Sequence, residues 1–248
     1  MYILGIDTTT SIMTIALSKD ERILTESSVD CGQFHVVKII TEIDEVFKKT
    51  EVDLSQIGLI GVDIGPGMYS GTRIGLALAK TLSQINFIDI VGITSVHALA
   101  FQASKKINQL KNELQSKGER IQGQKFCISS LINARRGEVY SSFFASRKSY
   151  LEKIKKDELL TIDDLIHKIF ELINIYKKVV LCGDALIDYP QISSIFEKEK
   201  KVMLLKNIIL PRASSINYLA FYRYKEGKVD DYMQLIPRYV RPFIPFGR

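Results

Sequence analysis

No apolar run in this chain reaches the ~18 residues that a membrane-spanning helix requires. The amino terminus, MYILGIDTTT, sets no basic stretch ahead of an apolar one, so a secretory signal is not expected and the chain is placed in the cytoplasm. Cysteine is sparse: Cys31, Cys127 and Cys182 are odd in number, far apart and without a C-x-x-C pair, which excludes a disulfide framework or a zinc knuckle and leaves small buried thiols. A serine-hydrolase elbow of the G-x-S-x-G type is missing, as are the Gly-Lys-Ser/Thr ending of a P-loop and the G-x-G-x-x-G spacing of a dinucleotide fold. What the chain does have is 46% hydrophobic residues over 248 positions, enough for one large core or two small ones. Its net charge of +6 comes mostly from scattered lysines. That balance favours loose association with acidic partners or nucleic acid, and by itself describes a solvated surface.

Short β-branched or apolar runs at 2–7, 11–18 and 22–28, separated by TTT and KDE, predict a three-stranded antiparallel meander. Apolar residues at helical spacing then predict a helix over 35–49, followed by a buried strand at 59–64 that ends in Gly-Pro-Gly. A helix over 70–85 with Ser70 as its cap, a strand at 88–93 and a helix over 95–114 complete the order βββαβαβα. Segment 104–123 is rich in lysine and glutamine, which predicts a solvated helix end and loop with a domain boundary just before or within it. Beyond it, strands at 125–132 and 138–145 flank NARRG as a hairpin, a helix covers 161–178, and VVLCGD (179–184) is a strand running into a turn. An amphipathic helix over 213–228 follows Pro211. The expected division is therefore 1–103 with 212–248 as one subdomain closed by the last helix, and 104–211 as a smaller α/β subdomain.

A meander followed by αβαβα, with Asp7 closing the first strand and Thr8, Thr9 and Thr10 in the first turn, is similar to the opening of the actin, Hsp70 and sugar-kinase superfamily, an α/β fold of two small ribonuclease-H-like subdomains. In active members of that superfamily such a turn wraps phosphates while the Asp orients a metal-bound water. Asp7, Thr8, Thr9 and Thr10 are thus candidate nucleotide-binding residues. Without a glycine in the turn, close backbone approach to a phosphate is harder, and side-chain to backbone hydrogen bonds tying a tight hairpin are the competing reading. In GVDIGPGMYSGTRIGLALAK (61–80), glycines four apart on a helix leave a flat face that suits close helix packing.

IDTTT, GPGMYSGTRIGLALAK, GITSVHALA (92–100), NARRGEVY (133–140), CGDA (182–185), PRASSINYLA (211–220) and PRYVR (237–241) occur together in the order and approximate spacing of the TsaB family, once known as YeaZ. The chain resembles that family over nearly its whole length. It departs from the usual pattern at Met68-Tyr69-Ser70, at Asn133, and at Val36 and Val37 after the first-helix histidine. The resemblance implies a subunit that is not the catalyst. It would dimerise with TsaD, which holds the ATP and the metal and transfers a threonylcarbamoyl group to tRNA adenosine. It would join TsaE in a larger complex, meet tRNA only indirectly, and form a homodimer when alone.

The residues support a non-catalytic role independently. TsaD takes its metal on a His-x-x-x-His pair, because side chains four apart share one helix face. The matching positions here are Ser95 and Leu99, and the fourth neighbours of His97 are Ile93 and Phe101. His167, between Asp163 and Glu171, reads as a solvated helix face. The helix over 35–49 shows two apolar stripes, Val36, Ile40, Ile43 and Phe47 on one side and Ile39 with Val46 offset from it. With one stripe on the sheet and the other free, His35, Ile39 and Val46, together with Tyr69, Arg73 and Ala77 on the next helix, are candidate partner-interface residues. Arg135 and Arg136 are expected in a hairpin turn, not as catalytic residues but where they form ion pairs or touch an acidic partner. The alternative function is a nucleotide-dependent small-molecule kinase of the same superfamily.

Overall fold

A computed structural model describes residues 1–32, 34–116, 126–147 and 151–241. It divides into two compact units, Met1–Ala98 with Pro211–Arg238, and Leu99–Leu210 with the chain end from Tyr239. The division falls at Ala98/Leu99, inside a helix, earlier than the expected boundary after 103. The expected loop at the end of segment 104–123 lies outside the described residues from 117 onward, while 104–116 continue the helix.

The first unit is a sheet of order β3-β2-β1-β4-β5. β1 (Tyr2–Asp7), β2 (Ile12–Lys19) and β3 (Arg22–Asp30) form the antiparallel meander, and β4 (Ile57–Asp63) and β5 (Asp89–Ile93) extend it in parallel from β1. α1 (His35–Thr50) and α2 (Tyr69–Asn86) cover one face, where Leu4, Ile6, Met13, Ile15, Ile60 and Val62 meet Ile39, Ile43, Val46 and Leu76. α7 (Ala213–Lys225) covers the other, setting Ile216 and Ala220 on Ile3, Leu59 and Val91. Central β1 and β4 are buried on both faces, which is why they read as continuous apolar runs rather than alternating ones. After α7 the chain returns along β5, where the Asp230 amide donates to Ile90 and the Lys80 ammonium donates to the Leu235 carbonyl.

α3 (Ser95–Ser116) carries the chain from the first unit into the second. There a sheet of order β11-β10-β6-β7-β8 is built from β6 (Phe126–Asn133), β7 (Glu138–Ser146), β8 (Leu151–Lys153), β10 (Lys178–Cys182) and β11 (Val202–Leu205), with β9 (Glu158–Thr161) also paired to β7. α4 (Ile162–Ile175), α5 (Ala185–Asp188) and α6 (Pro190–Phe196) close its core around Phe143, Leu165, Ile169, Leu181 and Phe196. Of these elements the sequence reading lacks β8, β9, β11, α5 and α6. They are too short for a hydrophobic period to develop, and their packing partners define them.

Candidate functional site

The Asp7–Thr10 turn sits where β1 ends, at the carboxyl edge of the parallel strands. Asp7 closes the turn itself: its Oδ1 accepts from the Thr9 amide at 2.8 Å and the Thr9 hydroxyl at 2.7 Å. The Thr10 hydroxyl donates to the Ile12 carbonyl at 2.8 Å, and the Thr8 hydroxyl donates to the Gly71 carbonyl at 2.7 Å. All four residues are buried. Every threonine hydroxyl is therefore spent inside the unit, which corrects the expectation that Thr8, Thr9 and Thr10 offer these donors to a phosphate.

The helix behind the turn explains its own glycines. A Cβ on Gly71 would lie 2.0 Å from the Thr8 carbonyl oxygen, and one on Gly75 would lie 2.2 Å from the Thr8 hydroxyl oxygen. These glycines admit the threonine turn, not a partner helix as the spacing suggested. Ser70 does not cap the helix either: α2 starts at Tyr69, its first turn held by Met68, whose amide donates to the Thr9 carbonyl at 2.6 Å.

Beside the turn lies a feature absent from the sequence reading. β1 and β4 run parallel with Ile6 opposite Val62, so the residues that close them, Asp7 and Asp63, stand next to each other. Asp63 Oδ1 accepts from the Gly65 amide at 2.8 Å and from the Ser95 hydroxyl at 2.6 Å. The second oxygen of each carboxyl, Asp7 Oδ2 and Asp63 Oδ2, is buried without a hydrogen-bond partner among the described residues. Burial drives the Asp7 pKa to about 7 against the opposing hydrogen bonds from Thr9. Asp63 is pushed well above the carboxylate range, first by burial and then by the Asp7 charge. The pair therefore holds protons that exposed aspartates lose, and an acid closing each of two parallel strands is the sequence signal that could have found it.

Ser95 and Leu99, the positions matching a histidine pair, are a hydroxyl bound to Asp63 and a fully buried apolar side chain. His167, Asp163 and Glu171 are exposed.

The proposed interface residues separate into two groups. Tyr69, Arg73 and Ala77 form an exposed ridge at i, i+4, i+8 on α2, with the Arg73 guanidinium 4.0 Å over the Tyr69 ring. His35, Ile39 and Val46 are buried, so their assignment to a free surface is corrected. His35 Nε2–H donates to the Thr10 carbonyl at 2.8 Å. That bond fixes the rotation of α1, and residues at i+4, i+8 and i+11 then fall on the sheet as Ile39, Ile43 and Val46. The stripe left outside begins with Val36 and Ile40, 65% and 58% exposed, joined by Val37 at 73% and Phe34 at 67%. The first turns of both helices are tied to the same threonine turn, so this apolar cluster and the α2 ridge flank one another.

A sequence family described as TsaD, tRNA N6-adenosine threonylcarbamoyltransferase, matches residues 29–190. The tRNA threonylcarbamoyladenosine biosynthesis protein TsaB of Bacillus subtilis is 26% identical over 97% of this chain and 94% of its own. YeaZ from Pseudomonas aeruginosa superposes with a TM-score of 0.71 at 18% identity, covering 96% of this chain and 99% of that one. An inorganic polyphosphate/ATP-glucomannokinase from an Arthrobacter strain superposes with a TM-score of 0.50 at 10% identity over 91% of this chain and 99% of its own, a likeness of fold. The two-sheet α/β architecture is shared with these solved structures.

Proposed function

The chain belongs to the family of TsaD, tRNA N6-adenosine threonylcarbamoyltransferase, and from that premise we propose that it is a non-catalytic subunit that pairs with TsaD to support threonylcarbamoyl transfer to tRNA adenosine. The observation that carries this reading is the exposed cluster of Phe34, Val36, Val37 and Ile40 beside the Tyr69–Arg73–Ala77 ridge. Contiguous apolar side chains at the start of one helix, flanked by the open face of a second, are costly in water and gain by being covered. Two helices from each partner would close such a surface as a four-helix bundle. Relatives named for threonylcarbamoyladenosine biosynthesis favour this over a small-molecule kinase. On this reading ATP and the metal are TsaD's, TsaE joins the larger complex, and a homodimer uses the same face when TsaD is scarce.

Co-purification with TsaD from the native cytoplasm tests it. Ile40→Glu and Ala77→Glu each place a charge that the complex would bury, at several kcal/mol if unpaired, yet leave it in water in the free chain. Both variants are expected to lose TsaD and to melt like the parent. TsaD retained by both refutes the surface.

A further inference from the structure

The turn between β6 and β7 holds three successive residues in the left-handed region, Arg135 (φ 65°), Arg136 (φ 56°) and Gly137 (φ 73°). Glycine adopts this freely, but an arginine there is strained. The strain persists because the turn is strapped from every side. The Asn133 amide donates to Asp184 Oδ1 at 2.8 Å, and its side-chain Nδ2 donates to Asp188 Oδ2 at 2.6 Å. Asn133 Oδ1 in turn accepts from the Arg135 amide at 2.7 Å and the Tyr189 hydroxyl at 2.9 Å. Across the turn, the Ala134 amide donates to the Glu138 carbonyl at 3.0 Å, and the Glu138 amide donates to the Arg135 carbonyl at 3.1 Å. Arg241 donates to the Ala134 carbonyl and pairs with the Glu138 carboxylate, each at 2.7 Å.

This network engages three acids: Asp184 and Asp188 through Asn133, and Glu138 through Arg241. Arg135 and Arg136 are exposed, and among the described residues neither guanidinium has an ion pair or a hydrogen bond. Two uncompensated cations are thus held out on a rigid, strained turn. A guanidinium presents paired N–H donors that match two oxygens of one phosphate, and a turn fixed in advance loses little freedom on contact. Together with a net charge of +6, this favours a continuous polyanion over a single ion. We propose that the Arg135–Arg136 turn is a preformed contact for the phosphate backbone of the RNA substrate, a role that rests on the tRNA-modification reading above and gives the subunit a direct part in holding RNA.

The test is binding of a tRNA transcript to the full chain, followed by fluorescence anisotropy between 50 and 200 mM salt, for the parent and for Arg135→Asn/Arg136→Asn. Asparagine tolerates the left-handed region, so this variant should melt no lower than the parent. Its affinity at the lowest salt should fall about tenfold, and the slope of log K against log salt should shrink by roughly 1.4–1.8, the value for two lost phosphate contacts at ~0.7–0.9 each. Arg135→Lys/Arg136→Lys keeps the charge without the fork and should restore most of the slope. An unchanged slope in the asparagine variant overturns the contact, as does a parent chain that leaves the transcript free at 50 mM salt. Polyglutamate bound as tightly as tRNA with the same dependence on both arginines would overturn it in favour of an acidic protein. Co-purification with TsaD should be untouched by either variant. A parent that never retains TsaD sinks the subunit reading and leaves the anisotropy result to stand on its own.

Discussion

Replacing Asp63 with asparagine should make the protein more stable than the parent, by an amount that grows with pH. In the folded chain Asp7 holds its proton to about pH 7, and Asp63 to well above the ordinary 3.8. In the unfolded chain both ionise near the ordinary value. A group whose folded-state pKa is raised contributes stability that is fully present below its unfolded pKa and is lost as pH climbs toward the folded one. Above about pH 4 the unfolded state therefore releases protons that the folded pair keeps, Asp7 to about pH 7, and stability drains at up to ~1.4 kcal/mol per pH unit for each. Asparagine keeps an oxygen to accept from the Gly65 amide and the Ser95 hydroxyl, the two bonds that position Asp63, and has no proton to lose. The variant thus escapes one of the two losses. From pH 5 upward its advantage over the parent should widen by as much as ~1.4 kcal/mol per pH unit for as long as the folded Asp63 keeps its proton, a sizeable share of the ~5–15 kcal/mol that stabilises a domain. In thermal melts each kcal/mol of that widening is a relative gain of roughly 2–4 °C for a chain of this size. Melts of both proteins at half-unit intervals decide the matter: a constant gap from pH 5 to pH 7 would mean that Asp63 ionises normally in the folded state, and the buried pair as described would be wrong.

Ile39→Glu should unfold or strongly destabilise the chain, because Ile39 is 3% exposed in the core, whereas Ile40→Glu should melt within ~2 °C of the parent. Equal melting temperatures for the two would reverse the assigned rotation of α1. Gly75→Ala gains ~1 kcal/mol of helix propensity yet sets a methyl 2.2 Å from the Thr8 hydroxyl, so overpacking of ~1–3 kcal/mol should lower the melting temperature by several degrees. A rise instead would show that the threonine turn yields. The purified chain alone should hydrolyse ATP no faster than the protein-free background; steady turnover abolished by Asp7→Ala would overturn the non-catalytic reading.

Sequence alone was enough for much of the architecture, because hydrophobic period and turn chemistry act over a few residues. The meander, the alternation of helix and strand, and the hairpin around Arg135 and Arg136 are all present as read. So is the hydrogen-bonded closure of the Asp7–Thr10 turn, since an aspartate and threonines in a tight turn bond to the backbone within two residues. Other features depended on what lay beside each residue. In α1, both 36/40/43/47 and 39/46 satisfy a helical period, and the structure moves Ile43 to the buried side with Ile39 and Val46. The bond from His35 to the Thr10 carbonyl, between residues 25 positions apart, and the packing of Ile39, Ile43 and Val46 on the sheet choose which stripe is core and which is free. Gly71 and Gly75 look the same in sequence whether they admit a partner helix or the chain's own Thr8. Asp7 and Asp63 become one coupled acid pair only when parallel strands from distant segments align in register, Ile6 opposite Val62, and burial makes their charges costly. Local periodicity fixes which elements form and where they turn, whereas rotation, register and desolvation arise from contacts between segments far apart in the chain, and those the tertiary structure alone decided.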